Sequence, residues 1–133
     1  MEKHAARRRI LVIDDDEQVL IFFECLLENE GYEATTAWSG QEALSLLRSI
    51  GFDLVLLDDY LRDIDDEVIF NAVRGTHIQP LVILTESSLM PEARRYFIDL
   101  GAIDIICKGA PPEEIARQVR ECFSESALEA LAA

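Results

Sequence analysis

Ile10-Leu11-Val12-Ile13-Asp14-Asp15-Asp16 sets four contiguous apolar residues directly against three carboxylates. A run this short, rich in β-branched residues and free of polar interruption, fits a strand covered on both faces, as in parallel sheets. The acids then mark the strand's carboxyl end. Two further runs match, Leu54-Val55-Leu56-Leu57 and Leu81-Val82-Ile83-Leu84, and Ile103-Asp104-Ile105-Ile106 is read with them despite its one acid. The segment Glu33 to Ala37 is more polar and fits an edge strand.

Helical patterns fill the gaps. Val19, Phe22, Phe23, Leu26 and Leu27 fall at helical spacing, and Gly31 ends that segment. Ser39 and Glu42 form a capping box ahead of Ala43, Leu44 and Leu47. Glu67 to Val73 reads as a short helix. Pro91 opens a helix that stops at Gly101, and Pro112 opens another with Ile115, Val119, Cys122 and Phe123 on one face. Strand and helix alternate five times. That order predicts an α/β fold, a parallel sheet with helices on both faces.

The chain has 133 residues, enough for one domain with its own core. It holds 26 acids and 12 bases, a net charge of −14. Residues 1–9 carry net +3 and read as a basic tail, so the rest carries −17. A body this acidic repels phosphate backbones, which argues against nucleic-acid binding by this chain. No apolar run reaches the roughly 18–20 residues of a membrane span, and the apolar run after the basic start is too short for a signal peptide. Cys25, Cys107 and Cys122 are too few for a disulfide framework and suit a reducing, cytoplasmic setting.

Chemistry-bearing residues gather at predicted strand ends. Asp14, Asp15 and Asp16 follow the first run, Asp58 and Asp59 the second apolar run, Thr85 the next, and Lys108 lies just past the last. Ligands of open α/β sheets bind outside the carboxyl ends of the strands, so these groups converge. Clustered carboxylates repel one another, and a hard cation such as Mg²⁺ relieves that repulsion through oxygen ligands. A lysine and a threonine hydroxyl suit phosphoryl oxygens. Each residue alone reads as a loop acid, a capping Thr or a solvated Lys; the set at four strand ends carries the signal.

With Glu30-Gly31-Tyr32, Gly40-Gln41-Glu42-Ala43-Leu44, Asp53 and Gly101-Ala102-Ile103-Asp104 added, residues 8–123 resemble the receiver domain of two-component response regulators. The resemblance implies a flavodoxin-like, doubly wound (βα)5 fold with strand order 2-1-3-4-5. It implies that 10–123 is the receiver and 124–133 a longer last helix or the start of a linker. It implies a phosphoacceptor switch and not a metabolic enzyme. Asp58 matches the phosphoacceptor; Asp14, Asp15, Asp58 and the Tyr60 carbonyl match the Mg²⁺ ligands; Thr85 and Lys108 match the groups that contact phosphoryl oxygens. The implied partners are a sensor histidine kinase or histidine phosphotransfer protein and a downstream protein target; a homodimer stays open. By the same resemblance Leu20 and Ile21 belong to the kinase-docking face.

Other readings fit less well. A haloacid-dehalogenase-type phosphatase uses similar residue types, but its acidic pair should follow the lysine, and Gln18 stands where Thr or Val is expected. A calcium loop starting at Asp63 fails at Val68 and Arg74. A phosphorylation-independent binding module remains as the alternative. His4 and His77 lack metal-ligand company, Trp38 reads as packing at a sheet edge, and Cys107 as a buried thiol.

Five positions depart from the family pattern. Ile105 replaces an aromatic residue that couples phosphorylation to output. Arg62 replaces a Pro, and Asp66 a Gly; if that position needs positive φ, Asp tolerates it better than most residues but not freely. Gly109 replaces a Pro that often follows a cis bond, so a trans Lys108–Gly109 bond is expected. Glu86 follows Thr85 where a small residue is usual, adding like charge beside an incoming phosphoryl group. Glu86→Ala is expected to accelerate phosphorylation by a small phosphodonor; equal rates for the two proteins would refute the shielding role.

Overall fold

The computed structural model describes residues 6–75, 81–85 and 89–124, without the side chains of Leu81, Val82 and Thr85. Strands β1 (Arg9–Ile13), β2 (Glu33–Ala37), β3 (Leu54–Asp58), β4 (Leu81–Thr85) and β5 (Ala102–Cys107) alternate with helices. These are α1 (Glu17–Asn29), α2 (Gly40–Ser49), α3 (Asp66–Arg74), α4 (Pro91–Leu100) and α5 (Pro112–Cys122). All pairings are parallel, and the order is β2-β1-β3-β4-β5. The expected doubly wound sheet is therefore present. His4, His77, Glu86 and residues 125–133 lie outside the described residues.

Strand alternation sorts the core into two layers. Leu11, Ile13, Val55, Leu57 and Ile83 face α2, α3 and α4 through residues such as Ala43, Ile69 and Phe97. Ile10, Val12, Leu54, Leu56 and Leu84 face α1 and α5 through Phe23, Leu27, Ile115 and Val119. Each full burial of such a side chain contributes roughly 1.5–3 kcal/mol. The four-residue apolar runs of β1 and β3 are the consequence, because both faces are covered.

Two expectations are corrected by this packing. The apolar run in β5 does not mark two-sided coverage: β5 is an edge strand, with Ile103, Asp104 and Ile105 only half-buried. In α1 the inward face is set by Leu20, Phe23 and Leu27, while Phe22 turns toward solvent. Leu20 is mostly buried and reaches the surface only as part of the groove beside Ile21, so it belongs chiefly to the core; Ile21 and Cys25 are exposed as expected.

The start of α2 is pinned from two sides. Ser39 Oγ accepts from the Glu42 amide at 3.1 Å, and Glu42 reaches back to accept from the Trp38 amide at 2.9 Å. This is the capping box, displaced by one residue on its return bond. Asp63, from the β3–α3 loop, accepts from the Gly40 and Gln41 amides at 2.9 and 3.0 Å. These two bonds hold the Asp63 carboxyl below its usual pKa. Gly40 is pressed so close to Ile64 that an added Cβ would stand 2.8 Å from the Ile64 Cβ. Thermal unfolding is expected to show Gly40→Ala destabilised by about 1–3 kcal/mol through overpacking and Asp63→Ala by about 1 kcal/mol through loss of the cap. Unchanged stability in both would mean that this loop does not clamp α2.

Candidate functional site

Register decides which residues meet. Ile13 is level with Ala37 on one side and Leu57 on the other. Trp38, Asp14 and Asp58 therefore leave the sheet side by side. Thr85 is level with Cys107, which brings Lys108 to the same edge one residue later. The cleft over these strand ends, about 830 Å³, is lined by Asp14, Asp15, Asp58, Tyr60 and Lys108 among others.

Three successive acids have three different surroundings. Asp14 is fully buried, and its Oδ1 accepts from the Asp16 amide at 2.9 Å. Asp15 is exposed in the cleft, where Arg62 Nε lies 3.4 Å from its Oδ2. Asp16, at the cleft's edge, N-caps α1, accepting from the Gln18 amide at 2.9 Å. The Asp14 and Asp58 carboxylates, otherwise forced together without compensation, share one ammonium. Lys108 Nζ donates to Asp58 Oδ1 at 2.7 Å and forms an ion pair with Asp14 Oδ2 at 2.8 Å.

The electrostatics follow from burial and crowding. Asp58 is only 6% exposed. Burial pushes its carboxyl up, the hydrogen bond from Lys108 pulls it down, and the Asp14 charge pushes it up again, to about 7. For Lys108, burial alone would lower the pKa, but contacts with Asp14 and Asp58 more than offset it and raise it. Asp66, at the position expected to hold Gly, is raised to about 6 by burial and by Asp59, Asp65 and Glu67. The position does not require a positive φ: Asp66 is the first residue of α3, and among the described residues no non-Gly residue has positive φ. The Lys108–Gly109 bond is trans, as expected.

The donor set fits a hard cation. Carboxylate oxygens of Asp14, Asp15 and Asp58 all lie within 4.8 Å of one another. Asp14 Oδ2 is buried, and its contact with Lys108 is an ion pair without a well-directed hydrogen bond. A buried carboxylate oxygen short of a directed donor, beside two more carboxylates, matches the all-oxygen preference of Mg²⁺. Tyr60 is 70% exposed at the cleft. Thr85 ends β4 at the expected edge, and its side chain lies outside the described portion.

Two readings from sequence change here. Trp38 is not a packing residue: it is 66% exposed and lines the cleft. The sequence signal was available, because Trp38 stands one residue past the second strand just as Asp14 does past the first. Cys107 is half-buried instead of buried, a consequence of its place on an edge strand.

Comparison with known proteins agrees with this arrangement. Residues 10–120 match the response regulator receiver domain family, and the chain belongs to it. It is 31% identical over 101 residues to the uncharacterized transcriptional regulatory protein YkoG of Bacillus subtilis, covering 75% of this chain and 44% of that protein. It is 30% identical to the regulatory protein VanRc of Enterococcus gallinarum, covering 71% of this chain and 40% of the relative. The chain thus spans less than half the length of these relatives. Among solved structures, a CheY-like receiver domain from Methanospirillum hungatei superposes with a TM-score of 0.83 at 26% identity, covering 93% of this chain and 99% of the other. The chemotaxis protein CheY4 of Vibrio cholerae gives 0.80 at 25%, covering 87% and 98%. Receiver domains are signalling switches that work with kinase or phosphotransfer partners and bind Mg²⁺ at an acidic cluster. Among the described residues no helix is long and apolar enough to cross a membrane.

The raised Asp58 pKa has a stability consequence. An unfolded Asp titrates near 3.9, so the folded, metal-free protein holds an extra proton between about pH 4 and pH 7. Stability from this group is greatest at low pH and is lost as pH rises through about 7. In EDTA, Asp58→Asn is expected to stabilise the fold at pH 8 by about 1 kcal/mol or more, seen as a higher Tm, and much less at pH 5. A lower Tm for Asp58→Asn at pH 8 would contradict this balance.

Proposed function

We propose that the chain is a phosphoacceptor receiver that takes a phosphoryl group from a histidine kinase or histidine phosphotransfer protein onto Asp58. The observation that carries this reading is Lys108 Nζ bridging Asp58 and Asp14, 2.7 and 2.8 Å away, with Asp15 beside them. In its ionised form an Asp58 oxygen attacks phosphorus. The P–N bond to the donor imidazole breaks, its electron pair leaves with nitrogen, and an aspartyl phosphate results. Hydrolysis of that bond returns the carboxylate. Lys108, held as an ammonium, stays within reach of both the carboxylate and a phosphoryl oxygen. Thr85, at the end of β4, supplies a hydroxyl donor to another.

Asp14, Asp15, Asp58 and the Tyr60 carbonyl would hold Mg²⁺, which when bound supplies positive charge against the carboxylates and phosphoryl oxygens. Arg62 competes with it for Asp15. Since Arg62 is 85% exposed, that pair contributes only about 0–1 kcal/mol, so the ion can displace it. Residues 10–123 form the receiver, flanked by the basic tail 1–9 and the extension 124–133. A cytoplasmic setting, a downstream protein target and no nucleic-acid contact by this chain fit its charge and its three cysteines. Ile105 packs against the apolar layer under α4, so output proceeds without a swinging aromatic ring at that position.

Incubation with Mg²⁺ and acetyl phosphate is expected to add one phosphoryl group to the intact mass. The addition should be lost in EDTA and in Asp58→Asn. Labelling that persists undiminished in Asp58→Asn would overturn the assignment. No labelling by acetyl phosphate or by the cognate kinase would favour the phosphorylation-independent binding module. Arg62→Ala is expected to tighten Mg²⁺ binding about two- to fivefold by titration; weaker binding would show that Arg62 helps to build the site.

A further inference from the structure

Trp38 is the single tryptophan of the chain, and its placement has no structural explanation in the core. It is 66% exposed. Among the described residues its ring takes part in none of the aromatic pairs, which join Phe22 to Phe23, Tyr32 to Phe123 and Tyr96 to Phe97. Its backbone, by contrast, is fixed. The Trp38 amide donates to Glu42, and the next three residues are held by Ser39 and Asp63 and by the tight contact of Gly40 with Ile64. An apolar ring on a pinned backbone, presented to solvent, is arranged for contact with something outside the chain.

The register says what it faces. Trp38 follows Ala37 as Asp14 follows Ile13 and Asp58 follows Leu57, all three at one level of the sheet. The indole lines the same cleft as Asp58 and Lys108, and also an adjoining groove with Ile21. Asp58 is buried in that cleft, so a phosphodonor must reach it through the opening, and Trp38 is the exposed aromatic that lines this opening on the β2 side. Asp15 and Glu17, which line both the cleft and the groove, favour a donor whose ring is positively charged before transfer.

Resting on the phosphoacceptor reading above, we propose that Trp38 contacts the imidazole ring of the phosphodonor, so that this site prefers donors whose flat ring is protonated before transfer. Protonated N-phosphorylimidazole has both features: a planar ring to stack on the indole face and a positive charge attracted to it. On transfer the Asp58 oxygen–phosphorus bond forms and the P–N bond breaks. The electron pair returns to the ring nitrogen, so the protonated donor leaves as neutral imidazole and no further proton is needed.

Two small donors separate the ring from the charge. Monophosphoimidazole carries the ring; phosphoramidate also leaves from a protonated nitrogen but has no ring. With Mg²⁺ present, Trp38→Ala is expected to reduce the phosphorylation rate constant with monophosphoimidazole about three- to tenfold. The phosphoramidate rate should change less than twofold, and Trp38→Phe should restore most of the loss. An equal loss with both donors would assign Trp38 a general effect on the site and overturn the proposal, as would no loss with monophosphoimidazole. If the wild-type chain is phosphorylated by neither donor, nor by acetyl phosphate, nor by the cognate kinase, the phosphoacceptor reading itself fails, an outcome distinct from the other two. Far-ultraviolet circular dichroism and Mg²⁺ titration of Trp38→Ala confirm that its fold and cation site are intact.

Discussion

One ammonium holds the top of this sheet together. Lys108 bridges Asp14 and Asp58, two carboxylates that β1 and β3 deliver side by side. Both acids are buried, and a buried unpaired carboxylate is strongly unfavourable. With Lys108 in place the cluster still carries excess negative charge, because Asp15 lies within the same 4.8 Å group. The site is left short of positive charge and rich in oxygen donors. That imbalance suits a divalent cation and a phosphoryl group arriving together; in their absence burial first, and then the Asp14 charge, raises the Asp58 pKa.

The remaining architecture serves that arrangement. Two apolar layers fix the central strands on both faces, so the strand ends cannot slide relative to one another. Asp16 caps α1 while its amide orients Asp14, so the same turn starts a helix and aims a site carboxylate. Asp63 ties the loop that follows Asp58 to the start of α2. The residues around the cleft thereby belong to a rigid frame, and Trp38 is carried on the same frame.

Much of this was legible in the sequence because the signals are local and strong. Unbroken apolar runs ending in acids located β1 and β3, and Pro91, Gly101 and Pro112 marked helix ends. The convergence of Asp14, Asp15, Asp58 and Lys108 followed from the rule that parallel strands end together. What was missed depended on rotation and on coverage, which a run of letters does not encode. Leu20 and Phe22 exchange places because a small rotation of α1 moves its apolar stripe. The β5 run holds three isoleucines, but Asp104 interrupts it, and the strand lies at the sheet edge with β4 as its one neighbour. Trp38 was read as packing because tryptophan is usually buried. Asp66 was judged by the backbone of a Gly it replaces, whereas here the helix begins at that residue.

The central claim is that the phosphoryl group becomes an acyl phosphate on Asp58 and nowhere else among the clustered acids. Borohydride reduction of the phosphorylated protein, followed by peptide mass spectrometry, tests it most directly, because reduction converts an aspartyl phosphate into homoserine. The account predicts homoserine at position 58 alone. Homoserine at position 14, 15 or 59, with Asp58 unmodified, would contradict it.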